Sequence, residues 1–215
     1  MKICVIDLLF CWPPRGGADV DTYNVLRELR NLGNEILLIT IKTKTLTRGN
    51  ISENFHDFKI SCIDVDNLNS RVLKLVRSEL LNKVHQFNPE IIIVGNSFFL
   101  KPIVTTWLGD ESPIVWREYA YELICQKDIQ RFRNNSPSTL DYLSSPNFCI
   151  KCFLNHSKNK FTSQSIDPWL EEYLAVKAYT NNYYQLVMNS IKKIKAIWVY
   201  SEPMKKVWSK YHPEV

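Results

Sequence analysis

No apolar run in this 215-residue chain approaches the roughly 20 residues that a membrane-spanning helix needs. The N-terminus carries one lysine and then enters a strand-like run containing Asp7, without the flanks or cleavage site of a signal peptide. These absences point to a cytosolic protein. There is no G-x-G-x-x-G and no G-x-x-x-x-G-K-[ST], so neither a dinucleotide site nor a P-loop is supported. Internal repeats and low-complexity tracts are absent too. Six cysteines are present, but a cytosolic chain does not use them as a disulfide framework. Cys4, Cys11 and Cys62 are scattered and read as small packing residues.

The apolar share of 45% and the charged share of 23% suit one well-buried globular domain over residues 1–215. The net charge is +5, and much of it lies late, at Lys192, Lys193, Lys195, Lys205, Lys206 and Lys210. Two readings stand for these lysines: a solvated helical face, or peripheral contact with an anionic membrane surface or a phosphate-bearing substrate. The aromatics do not interleave with the basic residues as in nucleic-acid readers, so no nucleic acid is expected.

The chain is organised around its opening. Ile3, Val5 and Ile6 form a short apolar strand of the kind buried on both faces. A loop follows and ends in Gly16-Gly17, where glycine can take backbone angles closed to other residues. Asp19 or Asp21 is expected to cap a helix whose inner stripe is Val25, Leu29 and Leu32, with Leu26 beside them. Gly33 ends it. A strand, a glycine turn and a helix N-terminus together make an anion site, because free N–H groups and the helix dipole meet above the turn. The plainer alternative is that the glycines only allow a tight turn.

Further strands are expected at 36–41, 58–65, 91–94, 114–116 and 196–200. The polar stretch 42–54 reads as a loop. Asn69 or Ser70 caps a helix with Val72, Val76, Leu80, Val84 and Phe87 inward, and Asn88-Pro89 stops it. Helices are also expected over 98–108 and 169–189, the latter capped by Asp167-Pro168 with Leu170, Leu174 and Ala178 on one stripe. Ser201 caps a last short helix. The segment 126–165 has little periodicity and two turn signals, at Asn134-Asn135-Ser136-Pro137 and Ser144-Ser145-Pro146. Alternating strands and helices predict an α/β fold, a parallel sheet with helices on both faces. Ligands then sit beyond the C-terminal strand ends, at the loops Trp12–Gly17, Gly95–Ser97 and Arg117–Tyr121.

These residues, taken in order, resemble the N-terminal domain of a GT-B fold glycosyltransferase of the retaining group called family 4. The resemblance rests on Gly16-Gly17-Ala18, Leu26-Arg27-Glu28-Leu29, Leu32-Gly33-Asn34-Glu35-Ile36, Pro89-Glu90-Ile91-Ile92-Ile93-Val94 and Ala196-Ile197-Trp198-Val199-Tyr200-Ser201-Glu202-Pro203-Met204-Lys205. It spans nearly the whole chain, and its specificity lies in order and spacing. It implies a Rossmann-like half of a GT-B fold, with the donor-sugar domain expected beyond Val215. The implied partners are a nucleotide-sugar held by that other half and a glycan or lipid-linked acceptor held by this one, at the inner face of the membrane. No nicotinamide or flavin cofactor is implied. Gly16 and Gly17 would approach the donor diphosphate, and Asn96, Ser97, Tyr119 and Tyr121 would line the acceptor site.

Many members of that family carry a His-Asp pair where this chain has Arg117-Glu118, which makes these two the candidate catalytic residues. Arginine is permanently cationic and cannot act as a base. Arg117 could instead hold a phosphate or carboxylate of the acceptor with Glu118 as its partner; the plainer alternative is a surface ion pair. Some members also carry a cysteine-bearing insertion after this pair. Here residues 125–165 would match it, with Cys125 and Cys149-Ile150-Lys151-Cys152 as the implied cysteines; C-x-x-C spacing suits a tetrahedral structural zinc, and His156, four residues after Cys152, is the candidate fourth ligand of a Cys₃His site. The alternative is three thiols in a loop.

Overall fold

The computed structural model describes residues 1–44, 48–109, 112–127, 132–133, 136–158 and 168–215. Strand β1 (Lys2–Ile6), helix α1 (Gly17–Asn31) and strand β2 (Glu35–Thr43) come first. Strand β3 (Lys59–Val65), helix α2 (Ser70–Phe87) and strand β4 (Ile91–Val94) follow, then a 3₁₀ turn at Phe98–Leu100 that runs into α3 (Lys101–Leu108). After β5 (Ile114–Arg117) come two-residue strands β6 (Phe132–Arg133) and β7 (Ser136–Pro137). Helices α4 (Pro146–Lys158), α5 (Pro168–Tyr179) and α6 (Tyr183–Ile191), strand β8 (Ala196–Trp198) and helix α7 (Glu202–Trp208) complete the chain.

Six strands form one parallel sheet in the order β3-β2-β1-β4-β5-β8, a Rossmann-like α/β arrangement. Ile3 pairs with Ile36 on one side and Ile91 on the other, which centres β1. Alternation along each strand splits the core in two. Cys4, Ile6, Ile39, Val94 and Trp116 pack with Leu73, Val76 and Leu80 of α2 and with α3, α5 and α6. Ile3, Val5, Leu38 and Ile93 face the other way, onto Leu26 of α1.

The helix caps follow side-chain chemistry. The Asn69 carboxamide accepts from the amides of Arg71 and Val72, both at 3.0 Å. Asn88 closes α2 in the left-handed conformation at φ 52°. Helix α1 begins earlier than expected, at Gly17, so neither Asp19 nor Asp21 is its N-cap. Its inner residues are Thr22 and Leu26, while Leu32 is 79% exposed.

The expected helix over 169–189 is two helices. The Asn182 side chain accepts from the Gln185 amide at 3.1 Å and starts α6 afresh, because a short polar side chain competes with the backbone for the helix's own bonds. Leu174 is 54% exposed, whereas Glu171 and Glu172 are buried. The expected stripe is thus displaced by buried charge. Arg48 Nη1 donates to Glu172 Oε1 at 2.5 Å. The other Glu172 oxygen accepts from the Phe99 and Leu100 amides at 2.9 and 3.3 Å, and Glu171 accepts from the Leu68 amide at 2.8 Å. Helix α5 is pinned over the C-terminal strand ends by these bonds. In the segment expected to be irregular, residues 146–158 form α4; Pro146 opens it with φ already set for a helix. Asp167 and the Asn134-Asn135 turn lie outside the described residues.

Removing one partner of a buried ion pair strands the other. Glu172→Ala is expected to lower the unfolding free energy by roughly 3–5 kcal/mol, read from urea denaturation. The double variant Arg48→Met with Glu172→Met should lose clearly less.

Candidate functional site

Strands β1 and β4 lie side by side, yet the chain leaves them in opposite directions, β1 toward β2 and β4 toward β5. Such a switch point opens a crevice above the strand ends. Two loops enter it, one ending at Gly16-Gly17 and the other at Gly95–Ser97.

Gly16 has φ −159° and ψ 178°, extended backbone that any residue adopts, and Gly17 has no positive φ either. The expectation of glycine-only angles does not hold. What the glycines supply is space: a Cβ built on either meets nothing within 4 Å. The loop is held instead by Asp19, whose carboxylate accepts from the amides of Cys11, Arg15 and Gly16 at 3.2, 2.9 and 3.2 Å. Amides at the first two helical positions, Gly17 and Ala18, lie before the first intrahelical bond, where Val20 N donates to Gly16 O.

Below this opening lies Asp7, a residue that hydrophobic periodicity does not mark. It is buried directly after β1. Its Oδ2 accepts from the Asn96 amide at 3.2 Å and the Thr22 hydroxyl at 3.3 Å, and Oδ1 accepts from the Leu9 amide at 3.2 Å. Tyr119 Oη lies 2.5 Å from Thr22 Oγ1 and donates to Asp7 at 3.5 Å. Burial pushes the Asp7 carboxyl up to about 7, outweighing these donors. Gly95 is required here, because a Cβ would come 2.9 Å from Asp7 Oδ2.

Arg117 and Glu118, adjacent in sequence, face different surroundings. Arg117 is only 4% exposed, so it is not a surface ion pair. Its guanidinium lies 3.8 Å from the Trp198 ring centre, with Tyr200 and Tyr119 at 5.2 and 5.5 Å. Nη2 donates to Asp21 and, at 2.8 Å, to Tyr200 Oη. Nη1 has no hydrogen-bond partner among the described residues. Glu118 is fully buried beneath, accepting from Lys101 Nζ at 2.5 Å, and the same ammonium donates to the Arg117 carbonyl at 2.9 Å. Burial holds the Glu118 carboxyl well above its ordinary range, with Glu122 adding to the rise.

The remaining candidates scatter. Asn96 and Ser97 border the crevice, and the buried Asn96 Oδ1 and Ser97 Oγ lack partners among the described residues. Tyr119 joins the Asp7 cluster, while Tyr121 packs on the larger core. Cys149, Cys152 and His156 lie along α4, and Cys125 precedes the strand pair β6–β7. Among the described residues no group of three or more His, Cys, Asp or Glu side chains could hold a metal ion. No disulfide joins the six cysteines. All six late lysines are exposed, and no described helix is long and apolar enough to cross a membrane.

No protein-family model matches this chain. No curated protein does either. Solved structures do. One is sucrose-phosphate synthase from Thermosynechococcus elongatus, 10% identical, with a TM-score of 0.47. The match covers 99% of this chain and 46% of that one, so the chain spans less than half the length of its structural neighbour.

Asp7 has a measurable signature. Its folded pKa is raised from 3.8 to about 7, so the folded state holds this proton more tightly than the unfolded one. The associated stability is present below the unfolded value and is lost as pH rises through the folded one. Between those values the slope is about 1.4 kcal/mol per pH unit. Asp7→Asn is expected to remove that slope, so urea unfolding from pH 4 to 8 should show the wild type losing stability relative to the variant as pH rises. A constant difference would mean that Asp7 titrates normally.

Proposed function

We propose that this chain is the acceptor-side domain of a glycosyltransferase that moves a sugar from a nucleotide-diphosphate donor to a glycan or lipid-linked acceptor with retained configuration. The observation that carries the reading is the uncrowded N-terminus of α1 at the switch point, where Gly16 and Gly17 leave open space above it. Backbone N–H groups and the helix dipole there would stabilise negative charge on a leaving diphosphate. The order of motifs along the sequence supports the same reading. Asp19 lies close to this turn, but its carboxylate is engaged with the Cys11, Arg15 and Gly16 amides and leaves those of Gly17 and Ala18 available.

Calorimetric titration with UDP, GDP, ADP and inorganic pyrophosphate tests the anion site. At least one diphosphate is expected to bind. The double variant Gly16→Val with Gly17→Val keeps allowed backbone angles and should weaken binding by about tenfold or more, equivalent to about 1.4 kcal/mol. No binding by any of them would overturn the reading. The chain on its own is expected to hydrolyse no nucleotide-sugar.

A second reading is a non-catalytic binding subunit that partners a separate donor-domain protein. It is favoured by the complete burial of Glu118 against Lys101. Diphosphate binding without sugar transfer in the presence of a donor domain would select it.

Zinc on Cys125, Cys149, Cys152 and His156 is a separate proposal, resting on the sequence resemblance and requiring these side chains to come together. Elemental analysis of protein purified without chelator decides it, and well under one equivalent removes it.

A further inference from the structure

Arg117 is buried, stacked and only partly satisfied. Tyr200 Oη accepts from Nε at 3.2 Å and from Nη2 at 2.8 Å. Asp21 engages Nη2 through Oδ2 alone, and the Tyr200 hydroxyl donates to that same oxygen. Nη1 stays without a partner among the described residues. A guanidinium fork matches a carboxylate or phosphate through two parallel N–H bonds. Asp21 uses one edge of that capacity. Its side chain is 28% exposed, so it can swing into water.

Two aromatic rings flank this cation and remain open to solvent, Trp198 at 42% and Tyr200 at 49% exposure. Exposed aromatic faces carry partial negative charge and attract the C–H face of a pyranose ring. Asp21 lies four residues, one helical turn or about 6 Å, along α1 from Gly17. The aromatic pair and the glycine turn thus border the same crevice.

We propose that Arg117, Trp198 and Tyr200 bind an acidic sugar, its carboxylate or phosphate bridging Nη1 and Nη2, and that Asp21 occupies this position in the resting protein as an internal substitute for the ligand's acid. The proposal names the acceptor class of the transferase and rests on that reading for its biological role, but the binding stands on geometry alone. A neutral sugar cannot displace Asp21 and binds weakly.

The test is calorimetric titration of the chain with glucuronate, glucose 6-phosphate, glucose and inorganic phosphate. One or both acidic sugars should bind at least about tenfold more tightly than glucose or phosphate, equivalent to about 1.4 kcal/mol. Trp198→Leu should weaken the acidic sugars. Asp21→Asn, isosteric and partly exposed, should tighten them several-fold while leaving glucose unchanged, a gain that loss of a merely structural ion pair would not produce. Gly16→Val with Gly17→Val should leave glucuronate affinity intact while weakening the diphosphates. Equal affinity for glucose and the acids, or Asp21→Asn binding the acids no more tightly than wild type, overturns the proposal. Free phosphate as tight as glucose 6-phosphate overturns its sugar component. If the acids bind as expected and no diphosphate does, the acidic-sugar site stands and the glycosyltransferase reading falls. If a diphosphate binds and the acids do not, the acidic-sugar site falls and the glycosyltransferase reading stands.

Discussion

All six strands of the main sheet point the same way, so every connection leaves from one edge, and that edge carries the buried charge. Charge taken out of water must be paired, hydrogen-bonded or neutralised by a proton. This chain uses all three remedies within one layer. Arg48 pairs with Glu172 over the end of β4, and Lys101 pairs with Glu118 at the end of β5. Asp7, at the end of β1, has no cation among its hydrogen-bond partners in the described residues; it accepts from amides and hydroxyls, and burial pushes its carboxyl up to about 7. The helices above are located by these groups as much as by apolar packing. Helix α5 turns Glu172 inward and leaves Leu174 in solvent.

The fold is largely legible in the sequence because its signals are local. Ile91 to Val94 is apolar and β-branched, and it forms β4. Asn69 and Asn88-Pro89 bound α2, and both act where expected. Expectation and structure part where a polar residue has a distant partner. Arg48 meets Glu172 across 124 positions, a separation no periodic pattern reports. Lys101 interrupts an apolar run, and it is fully buried. The break at Asn182 does have a local signal, the polar run Thr180-Asn181-Asn182, whose last residue caps α6.

The candidate site is half legible. The loops Trp12–Gly17, Gly95–Ser97 and Arg117–Tyr121 do cluster at the strand ends, as parallel topology dictates. The residues within them are harder to assign. Arg117 and Glu118 look like one ion pair in sequence, but strand alternation sends their side chains to opposite faces. Arg117 meets Asp21 and Tyr200; Glu118 meets Lys101. Asp7 could have been found by asking which polar residue directly follows an apolar parallel strand. Asp21, Trp198 and Tyr200 carry no such signal, since their relation to Arg117 exists only in the folded chain.

The Lys101 ammonium holds both the Glu118 carboxylate and the Arg117 carbonyl. That clamp fixes the backbone at the end of β5 beneath the Arg117 side chain. Its partners sit on two separate pieces of the chain, Asp21 near the start of α1 and Tyr200 just past β8, 179 residues apart and joined through a single carboxylate oxygen. The junction ties the first turns of α1 to the segment after β8 through side chains alone. The beginning and the end of the sequence are thereby stitched across the mouth of the crevice, above backbone hydrogen bonds that belong to the sheet.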